Sequence, residues 1–486
     1  MLLITISVFP LIGILFLFFF KEINLCRLYA LIFSCITFLL SLILWIQFDA
    51  GSSLFQFTKS ITWFYSLNLY YYIGIDGISL FFILLTTFLI FICILVGWNI
   101  NKIYLKEYFI CFLLLEFFLI QVFCVLDIVL FYIFFESVLI PMFLIIGIWG
   151  SRERKIQAAY QFFLYTLFGS LFMLLAILVI YFELGTTDIQ LLWNNNFTIQ
   201  RQILLWLAFF ISFAIKIPMI PFHIWLPEAH AEAPTAGSII LAGILLKLGG
   251  YGFIRLSIPM FPEASIYFTP FIYLFSLIAI IYGSLTTLRQ IDLKKIIAYS
   301  SIAHMGFVTI GLFSFNIQSL EGSIFLMLSH GLVSSALFLC IGILYDRHKT
   351  RIIKYYSGIS QIMPIFSIFL LFFILSNIGF PGTSNFIGEI LVFLGLFQFS
   401  SILTLFIIIN TILSAAYSIW LYNRLSFGIL KLQYILSFQD ISRREFWILC
   451  YFLILILLFG LYPNLILNEI HLSIFNLIEQ FNYFKT

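Results

Sequence analysis

Long apolar stretches, separated by short polar segments, recur along the chain from Met1 to Leu465. Many reach the 17 to 25 residues, roughly, that an α-helix needs to cross about 30 Å of hydrocarbon. Lipid offers no hydrogen-bond partner to an unpaired backbone amide, so helices are the expected structure. The pattern predicts an all-α polytopic membrane protein with about 14 spans, near residues 2–20, 27–46, 78–98, 107–125, 128–149, 156–182, 202–222, 235–256, 266–288, 295–314, 320–345, 362–397, 401–423 and 446–463.

Composition supports the same class. Of the 486 residues, 63% are hydrophobic and 9% are charged, whereas a soluble domain has roughly 25% charged residues. The formal charge of +3 is small and dispersed, which argues against nucleic acid as a partner. The seven cysteines are odd in number and show no CxxC spacing, so they read as small core residues.

The distribution of Lys and Arg tests the number of spans independently, because these residues accumulate in loops on the cytoplasmic or matrix side. If the spans alternate in direction, the loops on one side of the membrane, the outer side, contain only four of these residues: Lys59, Arg201, Arg255 and Lys485. Both termini are therefore predicted on this outer side. The opposite side, here called the basic side, receives Lys21, Arg27, Lys102, Lys106, Arg152, Arg154, Lys155, Arg289, Lys294, Lys295, Arg347, Lys349, Arg351, Lys354, Arg424, Lys431, Arg443 and Arg444.

An internal repeat is indicated by the segment 163–181, which aligns without gaps on 327–345. The offset of the two segments places Ser170 over Ser334 and Tyr181 over Tyr345. Equivalent helices are an odd number of spans apart, so the second copy would cross the membrane upside down. Inverted repeats are typical of transporters, whose working site lies near the midplane at interrupted helices.

Charged side chains within the spans are the candidate functional residues. Lys216 and Lys247 are the basic ones, and Glu116, Glu136 and Glu389 are the acidic ones. A charge at the bilayer centre costs about 2.5 to 3.5 kcal/mol on insertion scales, so it usually faces a partner or a wet cavity. Pairing a lysine with a glutamate would offset part of this cost. The alternative is that such pairs only hold helices together, although buried pairs stabilise poorly.

Helix breaks are predicted beside two of these charges. Pro218 and Pro221 follow Lys216 and remove backbone donors, so the helix should end just past the lysine. In the repeat alignment, Pro218 corresponds to Gly382, which follows Pro381. This predicts a second helix break near Glu389. A simple kink is the alternative for a proline pair alone.

Histidines supply the remaining candidates. His304 and His330 lie within predicted spans in serine-rich surroundings, and an imidazole can pass protons near neutral pH. Hydrogen-bonded core histidines are the alternative. His223 and His230 flank the first break, where ordering a loop and admitting protons are equally compatible with the pattern. His348 is predicted in a surface loop and receives no function.

Four segments carry a specific family resemblance: residues 134–150, 221–252 (PFHIWLPEAHAEAPTAGSIILAGILLKLGGYG), 288–306 and 328–348. With them the chain resembles, over essentially its whole length, the subunit 4 group of the antiporter-like membrane subunits of mitochondrial NADH:ubiquinone oxidoreductase (complex I). Subunit M is the bacterial counterpart. Subunits 5 and 2 and the cation/proton antiporter subunits share the general plan, but they do not usually read PEAHAEAPTAG followed by ILLKLGGYG.

The resemblance implies 14 core helices and two inverted five-helix repeats. The corresponding division of this chain is residues 1–106 for the first three helices, 107–256 for the first repeat, 266–423 for the second repeat, and 424–486 for the last helix and tail. By resemblance, Glu136 is the fifth-helix glutamate and Lys216 its seventh-helix partner. The remaining matches are Lys247 as the central eighth-helix lysine, Glu389 as the twelfth-helix acid near the exit, Glu116 as a further acidic position, and His304 and His330 as histidines of helices ten and eleven.

The function implied is proton translocation coupled to NADH oxidation by quinone. No cofactor is expected in this chain, since flavin, iron–sulfur clusters and quinone would belong to other subunits. The implied partners are the other membrane subunits, especially the antiporter-like subunits 5 and 2, and the lipid bilayer of the mitochondrial inner membrane. Three alternatives stay open: a cation/proton antiporter subunit, a haem- or quinone-binding redox subunit, and a membrane scaffold with vestigial charges.

Overall fold

The computed structural model describes residues 2–64, 68–99, 104–431, 433–434 and 439–483. Within these ranges, 13 helices are long and apolar enough to cross a membrane. Two shorter apolar helices, Pro364–Ile378 and Ser384–Phe399, together occupy the predicted span 362–397. The prediction of an all-α polytopic membrane protein is therefore confirmed. Lys102 and Lys485, assigned to loops from the sequence, lie outside the described residues.

The N-terminal part contains a β-hairpin that the sequence did not predict. Strand β1 (Gln56–Phe64) pairs antiparallel with β2 (Leu69–Ile75), with Ile61 opposite Tyr71. β-branched and aromatic residues predominate in both strands, as a pleated surface favours. The helices of this part are α1 (Leu2–Phe19), α2 (Ile23–Ile46) and α3 (Gly77–Val96), with a 3-10 turn at Gly97–Asn99.

The middle of the chain continues with α4 (Leu105–Cys124), α5 (Ile128–Ser137), α6 (Leu139–Trp149), α7 (Lys155–Leu184), α8 (Ile189–Trp193), α9 (Ile199–Lys216), α10 (Trp225–Glu232), α11 (Thr235–Ile240), α12 (Leu246–Gly252), α13 (Ile258–Met260) and α14 (Pro262–Tyr267). Two π-helical segments, Leu241–Leu245 and Phe253–Ser257, join α11, α12 and α13 into one continuous span, Thr235–Met260. We call this span the central helix.

The rest of the chain forms α15 (Thr269–Arg289), α16 (Leu293–Leu312), α17 (Ile317–His348), a 3-10 turn (Ile353–Tyr355), α18 (Ile359–Ile362), α19 (Pro364–Ile378), α20 (Ser384–Phe399), α21 (Ser401–Ser426), α22 (Arg443–Leu461) and α23 (Asn464–Tyr483). Helix α23 follows the last predicted span and was not anticipated. Its Ser473 hydroxyl accepts a hydrogen bond of 3.2 Å from the backbone of Gly77, so it packs on the start of α3.

Burial separates central from peripheral helices. Every residue in the most apolar stretch of the central helix and of α17 is buried, whereas only 28% of the corresponding stretch of α2 and 39% of that of α7 are buried. Peripheral helices thus present apolar side chains outward, and the central helix and α17 are enclosed by protein. Ionisable side chains on these enclosed helices must find partners within the protein, because no lipid headgroup is within reach.

Both predicted interruptions are present in the backbone. Helix α9 ends at Lys216, and the next helix begins only at Trp225. Helix α19 ends at Ile378, and Gly379 and Gly382 then adopt φ angles of +80° and +90°, which side-chain-bearing residues rarely adopt. A Cβ added to Gly379 would lie 2.6 Å from Oε2 of Glu389, so this glycine also allows the backbone to approach the carboxylate.

Asp127 caps the start of α5 outside the spans. Its Oδ1 accepts hydrogen bonds of 2.9 and 3.0 Å from the backbone of Val129 and Leu130, and the hydroxyl of Thr187 donates to Oδ2. Burial raises the pKa of this carboxyl from 3.8 to about 6. The native state therefore binds the proton more tightly than the unfolded chain, so this group's contribution to stability falls as pH rises from about 4 to about 6.

We expect Asp127→Asn to raise thermal stability at pH 7, because it removes a charge that burial disfavours. Its Oδ1 can still accept from the backbone of Val129 and Leu130, whereas its amide nitrogen would donate to the Thr187 hydroxyl and so reverse that hydrogen bond. The gain should shrink as pH falls below about 6, where the carboxyl is already protonated. Asp127→Ala should instead cost about 1 kcal/mol, as losing a helix cap does. Thermal unfolding of the detergent-solubilised protein between pH 5 and 8 measures both effects. A loss of stability in the Asn variant equal to that in the Ala variant would contradict the assignment.

Candidate proton-transfer site

Lys247 lies in the central helix between its two π-helical segments and is fully buried. A π-helical turn displaces backbone carbonyls from the regular ladder and is frequent at functional sites. The ammonium of Lys247 donates to the carbonyl of Ala242, which belongs to the first π segment. Its Nζ also lies 3.0 Å from Nδ1 of His330 on α17. The local backbone and one imidazole therefore satisfy a charge at the centre of the protein.

Small residues bring the central helix and α17 together at this point. A Cβ on Gly331 would lie 2.9 Å from the carbonyl oxygen of Gly243 and 3.6 Å from Cε of Lys247. Any larger residue at 331 would push the two helices apart. The contact between Lys247 and His330 thus depends on the close approach that Gly331 permits.

Two histidines and a glutamate continue the row. The ring centroids of His330 and His304 are 5.5 Å apart, and Nδ1 of His304 lies 3.6 Å from Oε1 of Glu389. The three residues are at least 95% buried. Both ring nitrogens of His304 and Nε2 of His330 have no hydrogen-bond partner among the described residues. Lys247, His330, His304 and Glu389 thus form one buried row, which we call the central row.

Lys216 and Glu136 are near each other but do not form a closed ion pair. The Lys216 ammonium lies 4.5 Å from the ring centroid of Phe135, the residue next to Glu136. Neither Nζ of Lys216 nor Oε1 of Glu136 has a hydrogen-bond partner in the described part of the chain. Lys216 is the last residue of α9, where the helix dipole favours a cation. The lysine is therefore held by a helix end and an aromatic face.

Glu116 is joined to a peripheral helix. Its Oε1 accepts a hydrogen bond of 2.5 Å from the hydroxyl of Thr37 on α2. The carboxylate is fully buried. The structure thus ties this predicted site residue to α2, and not directly to the central row.

Buried charges at the ends of the spans were missed from the sequence. Arg255, counted among the outer loop residues, is in fact 3% exposed in the central helix and forms a 2.6 Å salt bridge with Asp76. Lys294 and Arg351, assigned to basic-side loops, are also buried. Arg255 lies inside the predicted span 235–256, so the bounds of that span already indicated that this residue is not in a loop. The statement that only two basic residues lie within spans was wrong for this reason.

The predicted position of His348 was also wrong. This residue lies in the last turn of α17 and is 3% exposed, with its ring 5.7 Å from that of Tyr356. The helix extends three residues beyond the predicted end of the span and so carries the histidine into the protein. Across the described residues, no group of three His, Cys, Asp or Glu side chains has an arrangement that could hold a metal ion.

Comparison with known proteins identifies the family. The model of a family described as "NADH:quinone oxidoreductase/Mrp antiporter, TM" matches residues 126–414, more than half of the chain. The chain belongs to this family. Lys216, Lys247, His304, His330 and Glu389 all fall within the matched segment, so the central row is part of the family's membrane domain.

Similar proteins match this chain over nearly its whole length. A protein of Chondrus crispus named NADH-ubiquinone oxidoreductase chain 4 is 70% identical over 98% of this chain and 97% of its own length. The protein of the same name from Arabidopsis thaliana is 62% identical over 97% and 95%. The family resemblance noted from the sequence is thereby confirmed.

Solved structures show the same fold. A chain of respiratory complex I from Thermus thermophilus with bound NADH superposes with a TM-score of 0.90 at 27% identity, covering 99% of this chain and 100% of that one. A chain of the archaeal membrane-bound sulfane sulfur reductase reaches a TM-score of 0.86 at 19% identity, covering 98% and 99%. The second likeness concerns the fold alone.

Proposed function

We propose that this chain is a proton-translocating, non-redox membrane subunit of a respiratory NADH:ubiquinone oxidoreductase, and that the central row carries the protons. The observation that supports this most directly is the continuity of titratable groups from Lys247 to Glu389 through two imidazoles. The relatives named NADH-ubiquinone oxidoreductase chain 4 support the placement in that complex. The proposed partners are its other membrane subunits, especially the antiporter-like subunits 5 and 2.

Each step moves one proton between neighbouring groups. The Lys247 ammonium gives a proton to Nδ1 of neutral His330. Lys247 is then a neutral amine. His330 passes a proton to His304, and His304 passes one to the Glu389 carboxylate. Protonated Glu389 releases its proton toward the outer side. Neutral Lys247 is then ready to accept the next proton.

Lys216 and Glu136 are proposed to control when Lys247 is recharged. At an effective dielectric near 20, two unit charges about 4 Å apart interact by about 4 kcal/mol, and the interaction weakens as they separate. Moving Lys216 toward or away from Glu136 would therefore change the potential at the start of the row. The Lys216 ammonium has no hydrogen-bond partner among the described residues, so a turn toward Glu136 would break no hydrogen bond and would give up only its contact with the Phe135 ring.

The membrane and orientation are part of the proposal. We place the chain in the mitochondrial inner membrane with both termini on the intermembrane-space side. Without the buried residues Arg255, Lys294 and Arg351, sixteen Lys and Arg residues are still assigned to the basic side against three on the outer side. The redox cofactors are proposed to lie in other subunits. A cation/proton antiporter is the second candidate, because the family description covers both. Sodium-dependent transport by the purified complex would favour it.

We expect Glu389→Gln to reduce proton pumping by about a hundredfold or more, because a neutral amide can neither accept nor release the last proton. The amide is close in size to the carboxyl, so the fold should persist. Pumping is measured as acidification of sealed vesicles that contain the assembled complex during NADH oxidation. Glu263→Gln, a change at an exposed residue of α14, is the matched control and should pump normally. Normal pumping by the Glu389 variant would refute the exit role.

A further inference from the structure

A cavity with a volume of about 440 Å³ lies at the basic-side end of the protein, beside the first helix break. Its lining includes Arg152, Glu228, Glu232, Asp292 and Lys295. We call this cavity the vestibule. Lys295 and Glu228 form a 2.5 Å salt bridge there, with side chains 28% and 35% exposed. The vestibule is therefore a charged and partly exposed surface next to the enclosed helices.

Lys294 lies one residue inward from this surface and is 2% exposed. Its Nζ donates a hydrogen bond of 2.6 Å to the carbonyl of Ala233, just before the central helix, and one of 3.1 Å to the hydroxyl of Ser238 in the first turn of that helix. Glu232 directly precedes Ala233 in the chain, lines the vestibule and is 3% exposed, and its Oε2 has no hydrogen-bond partner among the described residues. A buried acid and a buried amine thus stand directly behind the vestibule.

His230 is the next group inward. It is fully buried on α10, and its ring stacks on Phe338 of α17 with centroids 4.6 Å apart. Neither ring nitrogen has a hydrogen-bond partner among the described residues. The Ser238 hydroxyl, which accepts a hydrogen bond from Lys294, donates one of 3.3 Å to the backbone carbonyl of His230. Buried polar atoms are nearly always satisfied, so a buried imidazole without a partner on either nitrogen, linked to Lys294 through Ser238, is a candidate for proton transfer.

We propose that Glu232, Lys294 and His230 form a side branch that carries protons from the vestibule to Lys247 without passing through Lys216. This proposal rests on the proposed function of the central row. A proton taken from water by the Glu232 carboxylate moves to the neutral Lys294 amine and from Lys294 to one nitrogen of His230. His230 releases a proton from its other nitrogen to the Lys247 amine that has just discharged to His330. Each group ends the cycle with its starting charge, and a flip of the His230 ring returns its remaining proton to the starting side before the next transfer.

The test compares His230→Ala with His348→Ala in the assembled complex within sealed vesicles. His348 is a matched control, since it is also a buried histidine against an aromatic ring of the basic side. We expect pumping by the His230 variant to fall severalfold, less than the roughly hundredfold or more that losing an obligatory proton-transfer group costs, because the route past Lys216 still supplies Lys247. The His348 variant should pump normally. His230→Gln, which preserves more of the side-chain volume, is expected to show the same loss if the Ala variant does not assemble.

Chemical rescue separates proton transfer from packing. Imidazole added to the basic side should restore pumping of His230→Ala, whereas pyrazole has nearly the same shape but is a far weaker base and should not. Equal rescue by both compounds, or normal pumping by the His230 variants, would overturn the side branch. Lys247→Ala measured in parallel distinguishes the two levels of the argument. If Lys247→Ala pumps normally, the central row itself fails; if it stops pumping while His230→Ala pumps normally, only the branch fails.

Discussion

Replacing Lys247 with alanine is expected to stop proton pumping almost completely, with a loss of at least about a hundredfold. Protons from the Lys216 route and from the His230 branch both reach His330 through Lys247. Its Nζ is 3.0 Å from Nδ1 of His330, the nitrogen that would take the proton. Alanine removes both the proton and the base that must be recharged. NADH oxidation coupled to pumping should fall in parallel.

The measurement is the rate of vesicle acidification by the complex that contains the variant chain, with the rate of NADH oxidation followed separately in the same vesicles. Lys354→Ala, which removes an exposed lysine on the basic side, is the matched control and should leave pumping unchanged. Complex content is determined first on native gels, since a loss of assembly would also lower pumping. Assembled complex that pumps at the normal rate without Lys247 would show that the central row does not carry protons.

Replacing Arg255 with leucine is expected to destabilise the protein by about 3–5 kcal/mol, the cost of breaking a buried ion pair from one side. The guanidinium lies 2.6 Å from Oδ1 of Asp76 and 3.2 Å from the hydroxyl of Tyr251. It also packs on the ring of Phe55, 4.9 Å from the centroid. Leucine leaves the Asp76 carboxylate buried without its cation, so the variant complex should assemble poorly.

The amount of assembled complex and its thermal unfolding measure this effect. Arg201→Ala is the control, because Arg201 pairs with Glu183 at a site where the side chains are 51% and 34% exposed. Exposed pairs contribute only about 0–1 kcal/mol, so this variant should assemble normally. Adding Asp76→Asn to Arg255→Leu should recover part of the loss, since it removes the uncompensated charge. Normal assembly of Arg255→Leu would contradict a structural role for the pair.

The sequence predicted helices well where the physics is local. A stretch of apolar residues long enough to cross a bilayer has few alternatives to a helix, and Pro218 and Pro381 sit where backbone donors are removed. Lysine and glutamate inside such stretches are conspicuous, so Lys247 and Glu389 were selected as candidate site residues without a structure. Whether these residues carry protons stays a prediction that the experiments above test.

Contacts between distant segments were beyond the sequence. The pairing of Arg255 with Asp76 joins residues far apart in the chain, and a charge near a span end is as compatible with a loop as with a buried bridge. The β-hairpin was not predicted because polar residues interrupt the stretch 56–75, and the pairing of its two strands is itself a contact between segments. Lys216 was expected to face Glu136, but the ammonium lies over the ring of Phe135, a contact that spacing alone cannot reveal.

The enclosure of the central helix and α17 has a consequence for how the bilayer acts on this protein. Membranes differ in hydrocarbon thickness by a few ångströms, and exposed helices respond to the mismatch by tilting. Here only peripheral helices such as α2 and α7 meet the acyl chains, whereas the helices that hold Lys247 and His330 meet side chains alone. The spacing between these two groups should therefore stay the same in thin and thick membranes, while the tilt of the outer helices changes.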